Sequence, residues 1–182
     1  MLQETLKERS AFAHQQLEKI VVAKLKSIRS QKDYVELLKQ FYTYFNRLEH
    51  AIEPFITDEI LPDRAERRHS GFLAKDIISL GGTTDDIPVP KVPEINNPVQ
   101  ALGALYVMEG SIMGGPIIVQ MLKKYGITTG TSFFSGYGSE TPIKWACFME
   151  SLNKNIMASA QQEVIETAVD TFDRFAFVLN NH

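Results

Sequence analysis

The chain has 182 residues, 44% of them hydrophobic, a formal net charge of −3 and one cysteine, Cys147. That length supports a single domain over 1–182 with one core; the absence of a basic block disfavours nucleic acid as a partner, and a lone cysteine excludes an intrachain disulfide. Segment 2–9 is charged rather than apolar and Glu109 interrupts the best apolar run, so neither a secretory leader nor a membrane span is expected, and the expected location is cytoplasmic.

In chain order, residues 2–28 predict a first helix, with Leu6, Ala13, Leu17, Ile20 and Leu25 near helical spacing. A second helix is predicted over 33–53, where Tyr34, Leu38, Phe41, Phe45, Leu48 and Ile52 form one stripe that stops at Pro54. Leu61-Pro62 marks a turn, and a third helix is expected from about Ala65 to the glycine stop at Gly81-Gly82. Segment 83–96 carries Pro88, Pro90 and Pro93 and reads as an extended connection between helices that need each other. After a long central helix, 126–140 reads as a Gly/Thr/Ser loop containing Phe133, Phe134 and Tyr137. Thr141-Pro142 starts a helix through Trp145, Phe148 and Leu152, and a last helix is expected over 159–179. With no strand of useful length, the architecture is all-α, a single-domain bundle of six or seven helices around a kinked glycine-rich central one.

The central stretch, 97–124, is anomalous. Asn97 and Pro98 make a good helix start, and 99–108 is nearly all apolar, but the run Glu109-Gly110-Ser111-Ile112-Met113-Gly114-Gly115-Pro116 follows. Each interior glycine costs about 0.5–1 kcal/mol relative to alanine and an interior proline about 3 kcal/mol. Something must need a bare backbone there. Gly110 and Gly114 share one face, either as a tight helix crossing or as a platform for a ligand. Pro116 predicts a bend and a free carbonyl at Ile112.

Four histidines are present. His182 is terminal, His69 lies in the charged run 64–69, and His50 sits almost opposite Leu48, off the apolar stripe. His14 is different: it neighbours Leu17 on the inner side of its helix, with Glu18 at i+4 and Lys7 two turns back. A neutral imidazole can bind a metal while its other nitrogen donates to a carboxylate, although a core-edge histidine simply paired with Glu18 satisfies the same pattern.

The run Leu6-Lys7-Glu8-Arg9-Ser10-Ala11-Phe12-Ala13-His14-Gln15-Gln16-Leu17-Glu18 resembles the proximal helix of heme oxygenases, with a lysine, a small hydroxyl residue, a histidine and a glutamate at the same intervals. Tyr106-Val107-Met108-Glu109-Gly110-Ser111-Ile112-Met113-Gly114-Gly115 resembles the glycine-rich distal helix of that family, most closely in its bacterial branch associated with bacteriophytochromes. The resemblance implies an enzyme that takes heme as cofactor and substrate and dioxygen as co-substrate, releasing biliverdin, carbon monoxide and ferrous iron. It implies His14 as the proximal iron ligand, Glu18 beside it, Lys7 with Arg9 at a propionate, and Gly110 and Gly114 as the distal backbone closing over the porphyrin. Many members carry an aspartate after the first distal glycine to hold a proton-delivering water; here that position is Ser111, a hydroxyl without charge. For the second propionate, Lys144 is the candidate. The implied partners are an electron donor such as a ferredoxin or a flavin reductase and a bilin-accepting photoreceptor, with Arg64, Arg67 and Arg68 as a basic docking group for an acidic donor.

Three other readings fit parts of the sequence. A heme carrier on the same fold would keep His14 and the glycines without opening the ring. A thiaminase-like enzyme needs a cysteine nucleophile, whereas Cys147, between Trp145-Ala146 and Phe148, reads as core. A di-iron bundle needs paired Glu-x-x-His signatures, and Glu66-Arg67-Arg68-His69 is the only one.

Overall fold

A computed structural model describes residues 2–181; the terminal His182 lies outside them. Eight α-helices follow one another: α1 (Leu2–Ser27), α2 (Gln31–Ile52), α3 (Ser70–Ser79), α4 (Pro98–Gly110), α5 (Gly115–Lys124), the single turn α6 (Ser132–Ser135), α7 (Thr141–Asn155) and α8 (Gln161–Asn180). Among the described residues there is no strand.

The start of α2 is set locally. Ser30 has extended backbone (φ −146°) and its hydroxyl accepts from the Asp33 amide at 3.2 Å, while Asp33 Oδ2 accepts from the Ser30 amide at 2.9 Å, which makes a reciprocal capping box. The whole expected stripe, from Tyr34 through Ile52, is buried. Phe41, Phe45, Phe133, Phe134 and Phe175 meet edge-on with centroids 4.9–5.6 Å apart, and Tyr44 stacks on Phe175 while donating to the Thr171 carbonyl at 2.6 Å.

Helix α4 has no polar face. Ala101 to Met108 is buried apart from Tyr106, so this helix belongs inside the bundle, and the apolar stretch Pro98–Lys124, long enough to cross a bilayer, is half buried within the protein. Asn97 caps it by accepting from Gln100 N at 2.9 Å. α4 crosses α8 at Gly103, where an added Cβ would lie 2.6 Å from the Val164 carbonyl oxygen, so bare backbone is required at that crossing. α1 packs on the same helix, and α8 thereby holds α1 and α4 side by side.

Several expectations are corrected. The third helix begins at Ser70 rather than near Ala65; Arg64–Glu66 is one 3₁₀ turn and Arg67 is extended (ψ 152°), which lets Arg67 and Arg68 turn inward. The exposed His69 side chain caps α3 by accepting from Gly71 N at 3.1 Å. The loop after α5 contains α6, whose first turn is held from a distance: buried Asp76 on α3 accepts from Ser132 N, Ser132 Oγ and Phe133 N at 2.7–3.1 Å. Cys147 is exposed on α7, whose buried face is formed by Phe148, Met149, Ser151 and Leu152. The break in the central helix precedes Pro116. Ser111–Gly114 is a 3₁₀ turn, and Pro116 sits in the first turn of α5, where no helical N–H is needed. The Ile112 carbonyl is not left free, because Gly115 N donates to it.

Candidate functional site

α1 and α4 ascend α8 in the same sense. Arg9 Nη1 donates to Gln162 at 2.6 Å and the His14 ring lies 5.3 Å from that of Phe172; on α4, Asn97 donates to Glu163 at 2.8 Å and Gly103 abuts Val164 and Thr167. Buried Ser10 of α1 and the Tyr106 hydroxyl of α4 come together and latch the two helices. His14 lies one turn beyond that latch on one helix and Gly110 one turn beyond it on the other, each advanced by roughly 6 Å at 1.5 Å per residue. The structure therefore brings the two sequence motifs to the same level of the bundle.

Both motifs reach solvent: His14 on α1 is exposed, as are Met113 and Ile117 beside the glycines. His14 is half exposed, with 50% of its side chain accessible, although it leans on buried Phe172. Its Nε2 is 3.7 Å from Glu18 Oε1, an ionic contact when protonated but too long for a hydrogen bond. Across from it, Trp145 on α7 lies over Gly110, where an added Cβ would be 3.7 Å from the indole, and Trp145 packs at 5.7 Å against both Tyr106 and Phe148. An added Cβ on Gly114 would meet nothing within 4 Å. Met113 and Ile117 stay exposed on the same stretch.

These contacts separate the glycines by what surrounds them. Gly103 and Gly115 are the tight-packing positions; at Gly115 a Cβ would fall 1.9 Å from the Phe134 carbonyl oxygen. A Cβ on Gly110 would meet the Trp145 ring rather than backbone, and only Gly114 of the pair faces open space. The arrangement offers an accessible imidazole on α1 and bare backbone at Gly114, with Trp145 and Tyr106 packed together beside Gly110. Lys7 and Glu18 are exposed on the α1 side of it.

The other face of the helix break rests on a buried charged network that sequence reading missed. Glu109, 2% exposed, accepts from Arg67 Nη1 at 2.6 Å and from the Tyr137 hydroxyl at 3.1 Å. Arg67 also donates to both oxygens of Asp63, at 2.8 and 3.1 Å, and to the Lys144 carbonyl at 3.0 Å. Lys144 Nζ donates to Asp63 and Glu66, both at 3.0 Å, so its charge is engaged at the back of α7, which argues against its expected role at a propionate. Burial pushes the Asp63 carboxyl upward, but the hydrogen bonds and charges of Arg67 and Lys144 outweigh it and hold the group below its ordinary 3.8. Arg68 Nη2 donates to the Ser111 hydroxyl at 2.6 Å and to the Met108 carbonyl at 2.8 Å, and Ser111 Oγ in turn donates to Met108 O at 2.6 Å. Arg67 and Arg68 are thus 5% and 8% exposed, and the expected basic docking group is reduced to Arg64, itself paired with Asp58. A signal was present: Glu109 is a carboxylate in the middle of an otherwise apolar helix, and such a group is buried only with a cationic partner.

A family model described as heme oxygenase matches residues 1–181. The chain is 27% identical over 145 residues to a protein of Xanthomonas campestris pv. campestris (strain 8004) named heme oxygenase, covering 78% of this chain and 86% of that protein. Its fold matches the crystal structure of the NO- and CO-bound heme oxygenase from Neisseria meningitidis with a TM-score of 0.83 at 21% identity, over 99% of this chain and 90% of that one.

Proposed function

The chain belongs to the heme oxygenase family, and from that premise we propose how its own residues serve the reaction. The enzyme binds heme as both prosthetic group and substrate, uses dioxygen as co-substrate and opens the ring to biliverdin with loss of carbon monoxide and iron. The bound heme supplies the iron at which dioxygen is activated and the meso carbon that is oxidised.

His14 is the proximal ligand in this proposal. It is accessible, lies against the Phe172 ring and is followed one turn later by Glu18, whose carboxylate is 3.7 Å from the imidazole. Gly110 and Gly114 would leave room for the heme in a slot opposite His14, and the Trp145–Tyr106 pair would flank it. Exposed Lys7 meets a propionate at the mouth. Ser111 holds an ordered water for proton delivery. The observation that carries this reading is the open space over Gly114, one turn beyond the level that Gly110 shares with an accessible histidine. Electrons come from a ferredoxin or flavin reductase, and the bilin product passes to an acceptor such as a photoreceptor.

The test is an absorption time course of the protein mixed with hemin, then supplied with ferredoxin, its reductase, NADPH and catalase in air. A Soret band that forms and decays into a broad red bilin band is the expected result. A Soret band that persists under the same electrons makes the protein a heme carrier.

A further inference from the structure

Arg68 is the least explained side chain near the site. It is buried, its Nε finds no hydrogen-bond partner, and among the described residues no carboxylate pairs with it directly. Burial pulls its guanidinium down to about 10, so it remains charged at neutral pH. Its CZ lies 4.0 Å from the Phe133 ring centroid, Nη1 donates to the Phe133 carbonyl at 3.2 Å, and its backbone N–H donates to the Tyr137 hydroxyl at 2.9 Å. A cation kept this deep without a counter-ion in contact is costly, and the group it reaches is Ser111.

We propose that Arg68 is the positioning residue of the Ser111 hydroxyl: with the Met108 carbonyl it fixes Ser111 Oγ so that the serine can only accept one further hydrogen bond. A hydroxyl has one proton and two lone pairs. The proton goes to Met108 O and one lone pair to Arg68 Nη2, which leaves a single lone pair. Toward a water, the locked serine then behaves as an ionised carboxylate does, as an acceptor with no proton of its own to offer. Water held there must turn one hydrogen to Ser111 and is free to donate the other. This inference rests on the heme reading above and specifies how Ser111 performs the water-holding role without charge.

The test uses the ferric heme complex and a ligand that needs a hydrogen-bond donor. Fluoride affinity is measured for wild type, Ser111→Ala, Ser111→Thr and Arg68→Lys, alongside carbon monoxide affinity of the ferrous complex, hemin affinity and apo-protein melting. Ser111→Ala and Arg68→Lys are expected to weaken fluoride about fivefold, the loss of one hydrogen bond, with carbon monoxide and hemin affinities within about twofold of wild type. Ser111→Thr, which keeps the hydroxyl, is expected to retain fluoride binding. Unchanged fluoride affinity in Ser111→Ala overturns the proposal, as does an equal loss of fluoride, carbon monoxide and hemin binding in Arg68→Lys, the mark of a structural role only. If Arg68→Lys fails to fold, the link is read from the Arg68 Nη–H resonances of wild type and Ser111→Ala; resonances that do not move between the two overturn it. Absence of a Soret band in wild type overturns the heme reading, and this inference with it.

Discussion

At the scale of single residues, adjacent glycines have opposite purposes. Gly114 faces open space, so alanine there is expected to leave the apo-protein as stable as wild type or up to about 1 kcal/mol more stable, since alanine is the better helix former. Its methyl group enters the slot, and hemin affinity is expected to fall about tenfold. Gly115→Ala is expected to do the reverse, costing about 1–3 kcal/mol of apo stability, because the Phe134 backbone stands 1.9 Å from the new Cβ. Urea denaturation and hemin titration of both variants separate the two; similar behaviour in both assays refutes the division of labour. His14→Ala removes a half-exposed side chain whose packing is limited to one ring contact. The variant is expected to stay folded and lose the axial nitrogen, and a heme spectrum identical to wild type reassigns the ligand.

The helices themselves depend on two kinds of signal, local caps and close backbone approaches. The capping box at Ser30 depends only on Ser30 and Asp33, three residues apart, and Ser30→Ala is expected to cost about 1 kcal/mol, measured as a lower urea midpoint with an unchanged slope. The α4–α8 crossing is not local in that way, because Gly103 looks like any helix glycine until α8 is laid against it. Gly103→Ala pushes a Cβ to 2.6 Å from the Val164 carbonyl and is expected to cost about 1–3 kcal/mol. Since α8 also carries α1, that variant is expected to weaken hemin binding as well; a destabilised protein with wild-type hemin affinity dissociates the crossing from the site. Pro116 shows why the bend was misplaced by a turn: proline fits the start of a helix better than its interior, so the chain breaks at the preceding glycines and begins α5 afresh.

Across the whole molecule, the Asp63–Arg67–Glu109 network joins the 3₁₀ turn at Arg64–Glu66, the distal helix and α7. Asp63 is held below its ordinary 3.8, so its contribution is present above that value and is lost as pH falls through the lower folded one. Wild type is expected to lose urea resistance below about pH 4 more steeply than Asp63→Asn, which has no such carboxylate to protonate. Glu49 works in the opposite direction: burial raises its carboxyl against the hydrogen bonds from Ser70, so its protonation favours the fold, and comparison of wild type with Asp63→Asn isolates the Asp63 part. Parallel curves for the two proteins exclude Asp63 as the acid-sensitive element.

The sequence by itself determined the helical architecture, because stripes such as Tyr34 to Ile52 and stops such as Pro54 and Gly81 act within one or two turns. It also singled out His14 and Gly110-Ser111-Ile112-Met113-Gly114 as the segments with chemistry, since a histidine beside a core stripe and glycines inside a helix are each locally costly. Only the tertiary structure decided which glycine faces open space and which face a backbone, and that the arginines of 64–68 are not one exposed group. Those outcomes depend on partners 35 or more residues away: Phe133, Met108 and Ser111 for Arg68, Glu109 for Arg67, Trp145 for Gly110. A charge run looks the same in sequence whether it meets water or a buried carboxylate, and it is the long-range packing of α4 against its neighbours that supplies the carboxylate.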